Sequence, residues 1–151
     1  MRISAKVDYA LRALAEIAAI ESEGGGPVRR EQICDAQGIP ANFLENILRE
    51  LKAAEIVTSV RGSKGGFLLG RPAADIALAD VIRVLEGPLA SVRGVRPDAL
   101  DYTGPAEGLR DVWLAVRAGL RDMLDNITVA DLANGKLPAR VTRRAIPDPQ
   151  S

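Results

Sequence analysis

Two helical patterns separated by a glycine constrain the fold of this chain more than any other feature. Residues 30–37 predict a helix of barely two turns that presents Ile33, Cys34 and Ala36 and that Gly38 ends. Pro40 then suits the first position of a second helix. Two helices joined by a short glycine-containing turn are typical of the helix-turn-helix, whose second helix enters the major groove of DNA. The pattern therefore predicts a helix-turn-helix unit.

The second helix of this pair has an amphipathic pattern. Its apolar side chains are predicted to face inward, and they are Phe43, Leu44, Ile47, Leu48 and Leu51. The outward face then carries Asn42, Glu45, Asn46 and Arg49. Amides bond adenine edges, carboxylates accept from cytosine, and guanidinium groups bind guanine or phosphate, so this face is chemically able to read bases. Spacing alone favours the other interpretation, an ordinary solvated helix face.

A predicted β-hairpin follows the two helices. Residues 56–60 and 67–69 have the composition of short strands, and the loop between them is rich in glycine. Glycines allow backbone amides to approach a phosphate, and Arg61 and Lys64 supply positive charge, so the hairpin is predicted to be a wing. The loop lacks the Gly-Lys-Ser/Thr ending and the helix start of a nucleotide-binding turn. A plain hairpin loop is the structural alternative.

Helices are also predicted on both sides of this unit. The first runs from about residue 4 to residue 21 with Ser4 as its cap, and another spans residues 76–86, capped near Ala79-Asp80. Residues 88–104 show no period and are assigned to a loop. Residues 1–87 are therefore predicted to form one winged helix-turn-helix domain, giving a mainly α fold with a small β-hairpin.

The longest amphipathic stretch is predicted to begin at Pro105. A stripe of this length beyond a complete small domain usually needs a partner surface, so it predicts a dimerisation helix. The side chains assigned to the dimer interface are Leu109, Val112, Trp113, Val116, Leu120, Leu124 and Ile127. Thr128 is predicted to cap a last turn through Leu132, which completes a segment of residues 105–134. Residues 135–151 are predicted to be a disordered tail.

Composition excludes several classes of functional site. The chain has one cysteine and no histidine, whereas most zinc, haem and mixed cluster sites take ligands from these residues. The missing histidine also excludes Ser-His-Asp and Cys-His catalysis, so an enzyme is not expected. No apolar run has the bilayer-spanning length of about 20 residues, and the amino terminus lacks the apolar core of a secretion signal. We therefore expect a cytoplasmic protein without a membrane contact.

Net charge gives no sign of a nucleic-acid partner. The 20 Lys and Arg residues balance 20 Asp and Glu residues, and residues 1–72 carry ten basic and nine acidic side chains. Nucleic-acid binders usually have an excess of positive charge. Any attraction for phosphate must therefore come from placing the basic groups on one face.

The chain resembles the bacterial family of winged helix-turn-helix regulators that includes IscR, NsrR and CymR. About the first 87 residues match the family in order, and the long helix with the Thr-x-x-Asp-Leu run of residues 128–132 is also similar. The matching residues include Asp8-Tyr9-Ala10-Leu11-Arg12, Ile39-Pro40, Phe43-Leu44, Arg61-Gly62, Gly65-Gly66-Phe67, Arg71-Pro72, Asp80-Val81 and Glu86-Gly87.

The resemblance implies a sequence-specific DNA-binding regulator, with repression as the expected mode, that acts as a homodimer on a palindromic operator. Its two recognition helices are expected about one DNA turn apart, roughly 34 Å. It assigns contact with double-stranded DNA to Pro40, Ala41, Asn42, Phe43, Glu45, Asn46, Arg49, Arg61, Gly62, Ser63, Lys64, Gly65 and Gly66.

Relatives that hold an iron–sulfur cluster place three cysteines in the segment corresponding to residues 89–104, or use a histidine and an acid from the first helix. Here Val92, Asp98 and Gly104 stand near the cysteine positions, and Asp8 has no histidine to accompany it. The resemblance therefore places this chain among the cluster-free members, with no cofactor and no metal.

Three alternatives stay open. Cys34 is expected to pack as a small apolar side chain, but Arg29 or Arg30 could instead make it a redox-sensing thiol. The near-neutral charge also suits an adaptor of the same fold that binds a protein partner. A weaker alternative is an enzyme or ligand sensor that uses residues 88–104 as a lid.

Overall fold

The computed structural model describes residues 2–145, and these form seven α-helices and one two-stranded antiparallel sheet. The mainly α fold with a β-hairpin confirms the predicted fold class. In chain order the elements are α1 (Ala5–Ser22), α2 (Arg30–Gln37), α3 (Ala41–Ala53), β1 (Val57–Val60), β2 (Gly66–Leu69), α4 (Leu78–Glu86), α5 (Leu109–Leu124), α6 (Val129–Asn134) and α7 (Ala139–Arg144).

Helix α1 lies at the centre of the fold. The Ser4 hydroxyl accepts a hydrogen bond from the Val7 amide at 3.2 Å, which confirms the predicted cap. Helices α2, α3, α4 and α6 and strand β2 all pack against α1. Its fully buried side chains are Val7, Ala10, Ala13, Leu14, Ile17 and Ala18.

Helix α2 has the predicted bounds, and the turn after it depends on Gly38. This glycine has a φ of 62°, a left-handed conformation that ends the helix and that glycine adopts without a steric penalty. The prediction for Pro40 needs a correction of one position, because α3 begins at Ala41 and Pro40 is its N-cap. The φ of −60° at Pro40 suits the start of a helix equally well there.

Helix α3 buries four of the five side chains that were predicted to face inward, Leu44, Ile47, Leu48 and Leu51. The inward prediction for Phe43 is wrong, since its side chain is 51% exposed. Phe43 lies at the edge of the apolar stripe, where its ring meets the ring of Tyr9 from α1 edge-to-face at 6.1 Å between centroids. The ring therefore stays at the surface beside the start of α3.

The hairpin pairs Val57 with Leu69 and Val60 with Gly66, as expected for a wing. The chain between α1 and α2 adds a third partner to this sheet. The Val28 amide donates to the Phe67 carbonyl at 2.9 Å, and the Phe67 amide donates back to Val28 at 2.8 Å. These two bonds attach the wing to the chain that leads directly into α2.

Two predicted helix starts shift in the structure. The helix predicted from residue 76 begins at Leu78 with Ala77 as its N-cap, because Ile76 and Ala77 are extended and Ala77 forms a β-bridge with Thr128. The helix predicted from Pro105 begins at Leu109, because residues 104–106 form another 3-10 turn. Between α4 and α5 the described chain contains only short turns, including a 3-10 turn at residues 97–99.

The chain returns to α1 after α5. The Leu78 amide donates to the Ile127 carbonyl at 2.9 Å, and the Val129 amide donates to Ile76 at 2.9 Å. Helix α6 packs on α1, so the segment that follows α5 shares the core of residues 7–89. Of the predicted disordered tail, residues 139–144 form α7, and Val141 packs against this core, so the prediction of disorder is wrong there. Residues 146–151 lie outside the described residues.

The capping box of α6 generates a stability prediction. The Thr128 hydroxyl accepts from the Asp131 amide at 3.2 Å, and the Asp131 carboxylate accepts from the Thr128 amide at 2.9 Å. We expect Thr128→Ala to lower the free energy of unfolding by about 1 kcal/mol, because the Asp131 amide at the helix end loses its acceptor. Thr103→Ala is the control, since Thr103 precedes a 3-10 turn without a side-chain cap bond. Equal urea midpoints for the two variants would contradict the role of the capping box.

Candidate nucleic-acid interface

The outward face of α3 carries the four side chains that were predicted to read bases. Asn42, Glu45, Asn46 and Arg49 are all exposed. Glu45 accepts from Arg30 of α2 at 3.2 Å, and Arg49 donates to the Asn46 side chain. Exposed pairs of this kind contribute at most about 1 kcal/mol, so they restrain the side chains without preventing new bonds to bases.

A groove of about 550 Å³ lies between α3, the start of α2 and the wing. Its charged lining consists of Arg29, Arg30, Arg49 and Lys52 against Glu31 and Glu45. Four cations against two carboxylates leave an excess of positive charge in a concave surface, which attracts phosphate groups. The neutral chain thus concentrates basic groups beside the recognition face.

Three of these cations were not among the residues predicted to contact DNA. Arg29 is the N-cap of α2 and Arg30 its first residue, and Lys52 lies in the last turn of α3. The Arg29-Arg30 pair at the start of the helix-turn-helix was the available signal. Lys52 follows the predicted outward face by less than one turn of helix.

The tip of the wing presents Arg61, Ser63 and Lys64 to solvent, as the prediction requires. Arg29 donates a hydrogen bond to the Ser63 carbonyl, so the tip is also joined to the start of α2. Together with the Val28–Phe67 bonds, this contact fixes the wing at one side of the basic groove. The two predicted contact regions, wing and α3, therefore form one continuous surface.

The wing glycines are required by the wing's own packing. A Cβ on Gly65 would lie 2.1 Å from the Val60 carbonyl oxygen, and one on Gly66 would lie 2.6 Å from the Val28 carbonyl oxygen. Gly62 has open space around it but a φ of 108°, which side chains rarely adopt. These positions shape the loop that presents Arg61 and Lys64, and the buried Gly65 donates its amide to the Gly62 carbonyl at 3.0 Å within that loop.

The start of α3 is also held from the side of α1. The Arg12 guanidinium lies 5.3 Å from the centre of the Tyr9 ring, and it donates to the Gln37 carbonyl at the end of α2. Arg12 also pairs with Asp8 at 3.1 Å. This set, with Phe43 against Tyr9, fixes the turn between α2 and α3 relative to α1.

Comparison with known proteins gives the family of this fold and surface. Residues 3–135 match the Rrf2 family, described as iron-dependent transcriptional regulators. The chain belongs to the Rrf2 family. It is 46% identical over 145 residues to Rv1287 of Mycobacterium tuberculosis, a protein named as a candidate HTH-type transcriptional regulator, and the match covers 96% of this chain and 89% of that protein.

Two further Rrf2 proteins are similar in both sequence and structure. CymR of Bacillus subtilis is 34% identical over 134 residues, covering 89% of this chain and 91% of CymR. Its solved structure, described as that of the global cysteine regulator, superposes with a TM-score of 0.76 and covers 89% of this chain and 98% of that one. The structure of IscR from T. potens has a TM-score of 0.73 at 30% identity, covering 99% of this chain and 95% of that one.

These findings show that this Rrf2 protein is a DNA-binding transcription regulator and not an enzyme. They also confirm the resemblance stated on sequence grounds. No helix within residues 2–145 is long and apolar enough to cross a membrane.

The iron dependence in the family description requires a test against the residues present. Iron–sulfur clusters are held by cysteine thiolates, in some cases with histidine. This Rrf2 chain has a single cysteine and no histidine, and Cys34 lies in α2 rather than in the segment before α5. Within residues 2–145, no three side chains of the types His, Cys, Asp and Glu lie together in a cluster that could hold a metal ion. The donor set of one chain does not fit a cluster.

Cys34 is half-buried and packs against the core, as expected for a small apolar side chain. Burial raises the pKa of its thiol above the usual value, and the nearby Arg30 charge opposes that effect only in part. A raised pKa leaves less of the reactive thiolate at neutral pH. The structure therefore weakens the interpretation of Cys34 as a redox sensor in this Rrf2 regulator.

Thiol labelling tests this conclusion. We expect Cys34 to react more slowly than free cysteine at pH 7 and its rate to rise with pH beyond the usual cysteine pKa of about 8.5, since a raised pKa delays thiolate formation. The measurement is a labelling time course with a small thiol reagent at several pH values. Labelling at pH 7 as fast as free cysteine would contradict the assignment.

Proposed function

We propose that the protein is a homodimeric repressor that binds a palindromic operator, reading bases with the exposed face of α3 and contacting phosphates with the wing and the basic groove. The observation that carries the proposal is the continuity of these regions around one concave, positively charged surface. The sites of contact are twelve of the thirteen residues assigned above, together with Arg29, Arg30 and Lys52. Gly65 is left out because it is buried and its amide donates to the Gly62 carbonyl. A dimer seated on a promoter excludes RNA polymerase from the same DNA, so repression is the proposed mode.

Helix α5 supports the homodimer. Within residues 109–124, all of which the structure describes, no side chain is fully buried. Leu109, Val112 and Val116 are 37%, 51% and 41% exposed, and they form an apolar stripe at three- and four-residue steps. An exposed stripe of this kind on a long helix is best covered by the same stripe of a second copy, which gives an isologous contact.

The other side chains assigned to the dimer contribute less surface. Trp113, Leu120 and Leu124 are partly buried within their own chain. Ile127 is only 4% exposed because it lies after the end of α5, in the core of its own chain. We therefore centre the proposed interface on Leu109, Val112 and Val116.

The proposal also covers the cofactor, the location in the cell and the spacing of the DNA half-sites. We propose that the regulator works without an iron–sulfur cluster, since one chain supplies one cysteine and no histidine. A bacterial regulator of this family acts on chromosomal DNA, so we place it in the cytoplasm. Two recognition helices about 34 Å apart then match half-sites one DNA turn apart.

The wing contacts are tested by salt dependence. Arg61→Ala/Lys64→Ala is expected to weaken binding to all duplexes and to reduce the slope of log affinity against log salt by about one for each phosphate that the variant no longer neutralises. The measurement is fluorescence anisotropy with a labelled duplex from the region upstream of the protein's own gene, at several salt concentrations. Replacing Asn42 or Glu45 is expected to change base preference instead.

A matched variant separates local effects from overall charge. Arg110→Ala/Arg140→Ala also removes two cations, but these lie on α5 and α7. This control should keep the salt slope of the unaltered protein. An unchanged slope in the wing variant, or an equal reduction in both, would remove the wing from the proposed interface.

The α5 interface is tested by a single charge. Val112→Glu is expected to convert the dimer into a monomer, because an unpaired carboxylate buried in an apolar contact costs several kcal/mol. Ala118→Glu is the control, since Ala118 is exposed on the opposite face of α5. Size-exclusion chromatography with light scattering gives the mass of each. A Val112→Glu protein that stays dimeric, with intact helical circular dichroism, would contradict the proposed interface.

A further inference from the structure

A second cavity lies away from the DNA-binding surface, between α4, the chain that follows it and α5. Its volume is about 360 Å³, which falls within the range of small-molecule sites, about 300–1,000 Å³. Seven residues line it, and its charged lining consists entirely of arginines among the residues that the structure describes. The lining residues are Arg83, Gly87, Pro88, Leu89, Arg96, Arg117 and Arg121.

Aspartates behind the lining neutralise most of this charge. Arg83 of α4 pairs with Asp125 at 2.6 Å and with Asp80 at 3.3 Å. Arg121 reaches the same Asp125 at 3.4 Å. The two carboxylates of Asp80 and Asp125 therefore balance the charges of Arg83 and Arg121. Neither aspartate lines the cavity, so they hold the guanidinium groups in place from behind it.

The other side of the cavity is less well compensated. Asp98 pairs with Arg96 at 3.0 Å and with Arg117 at 3.5 Å. Burial raises the pKa of Asp98, but the bonds and charges of Arg96 and Arg117 outweigh it and hold that pKa below its usual value, so Asp98 stays ionised. A single carboxylate, that of Asp98, is therefore shared by two arginines here. The four arginines thus exceed their three aspartate partners by one positive charge.

Arg117 also has an unused donor. Its side chain is only 19% exposed, and among the described residues its buried Nε–H has no hydrogen-bond acceptor. Trp113, four residues earlier on the same face of α5, likewise has a buried indole N–H without a described partner. Buried donors are normally satisfied, so an unsatisfied N–H on a guanidinium that lines a cavity indicates a place for an acceptor.

We propose that this arginine-lined pocket binds a small ligand through an oxyanion group, a carboxylate, phosphate or sulfate. Guanidinium groups present planar pairs of N–H donors that match such groups in bidentate fashion. A ligand there would contact α4 through Arg83, the following chain through Arg96, and α5 through Arg117 and Arg121. Leu89 and Pro88 supply apolar surface for the rest of the ligand.

The pocket is compatible with the dimer of the proposed function. Arg117 directly follows Val116, and consecutive residues of an α-helix point about 100° apart. The cavity therefore opens beside the apolar stripe of α5 and not on it. Ligand binding itself needs neither DNA nor the dimer, so it can be tested independently of both.

Trp113 provides a local probe, because it is the single tryptophan of the chain and lies one turn from Arg117. The full-length protein is titrated with inorganic phosphate and, separately, with succinate, against chloride at equal ionic strength to remove general screening. We expect a saturable change in tryptophan emission with at least one of the two probes. The probe that binds more tightly distinguishes a phosphate-like from a carboxylate ligand.

Two double variants locate the binding. Arg96→Gln/Arg121→Gln removes two side chains that are 55% and 56% exposed, so the fold should persist, and we expect affinity to fall about tenfold or more. Arg143→Gln/Arg144→Gln removes two exposed charges from α7, away from both the pocket and the DNA-binding surface, and should leave the titration unchanged. The proposal is overturned if neither probe gives a saturable change, if the pocket variant binds as well as the unaltered protein, or if the α7 variant loses binding as much as the pocket variant.

Discussion

Burial of one face of α1 is the interaction on which the remaining structure depends. Ala10, Ala13, Leu14 and Ile17 are completely covered by elements from both halves of the chain. The two alanines lie on the face against which neighbouring helices pack. Because α2 and α3 pack on α1 while Tyr9 and Arg12 hold the turn between them, the position of the recognition helix is set by this core and not by the turn alone.

The wing is also held in place by its contact with the chain around α1, but through backbone hydrogen bonds and not through apolar packing. Backbone bonds between Val28 and Phe67 join the hairpin to the segment that connects α1 with α2, and the Arg29 side chain adds a bond to the tip. A two-stranded hairpin by itself is marginally stable in water. Its attachment to α1 and α2 therefore explains how four-residue strands can hold Arg61 and Lys64 at a defined distance from α3.

Local sequence signals were sufficient where local conformation decides the structure. Gly38 could be recognised as the end of α2 because its left-handed conformation is a property of that residue. Phe43 could not be placed, because its exposure depends on where α1 puts Tyr9. The basic groove was missed for the same reason: Arg29 and Lys52 line one groove only through the packing of α2, α3 and the wing. Helix α7 carries too short an apolar pattern to separate it from a polar tail.

The arginine-lined pocket and the groove beside α3 are both positively charged, although the chain as a whole is neutral. Carboxylates are outnumbered by basic groups in the lining of both cavities, although the chain as a whole has equal numbers of each. The groove beside α3 is the larger of the two, at about 550 Å³, and adjoins the wing, whereas the four arginines of α4, α5 and the chain between them line about 360 Å³, a volume suited to a small anion. An anion bound there would contact both α4 and α5. Because α4 packs on α1 and α3, and α5 carries the apolar stripe, such a ligand would lie between the recognition helix and the proposed dimer contact.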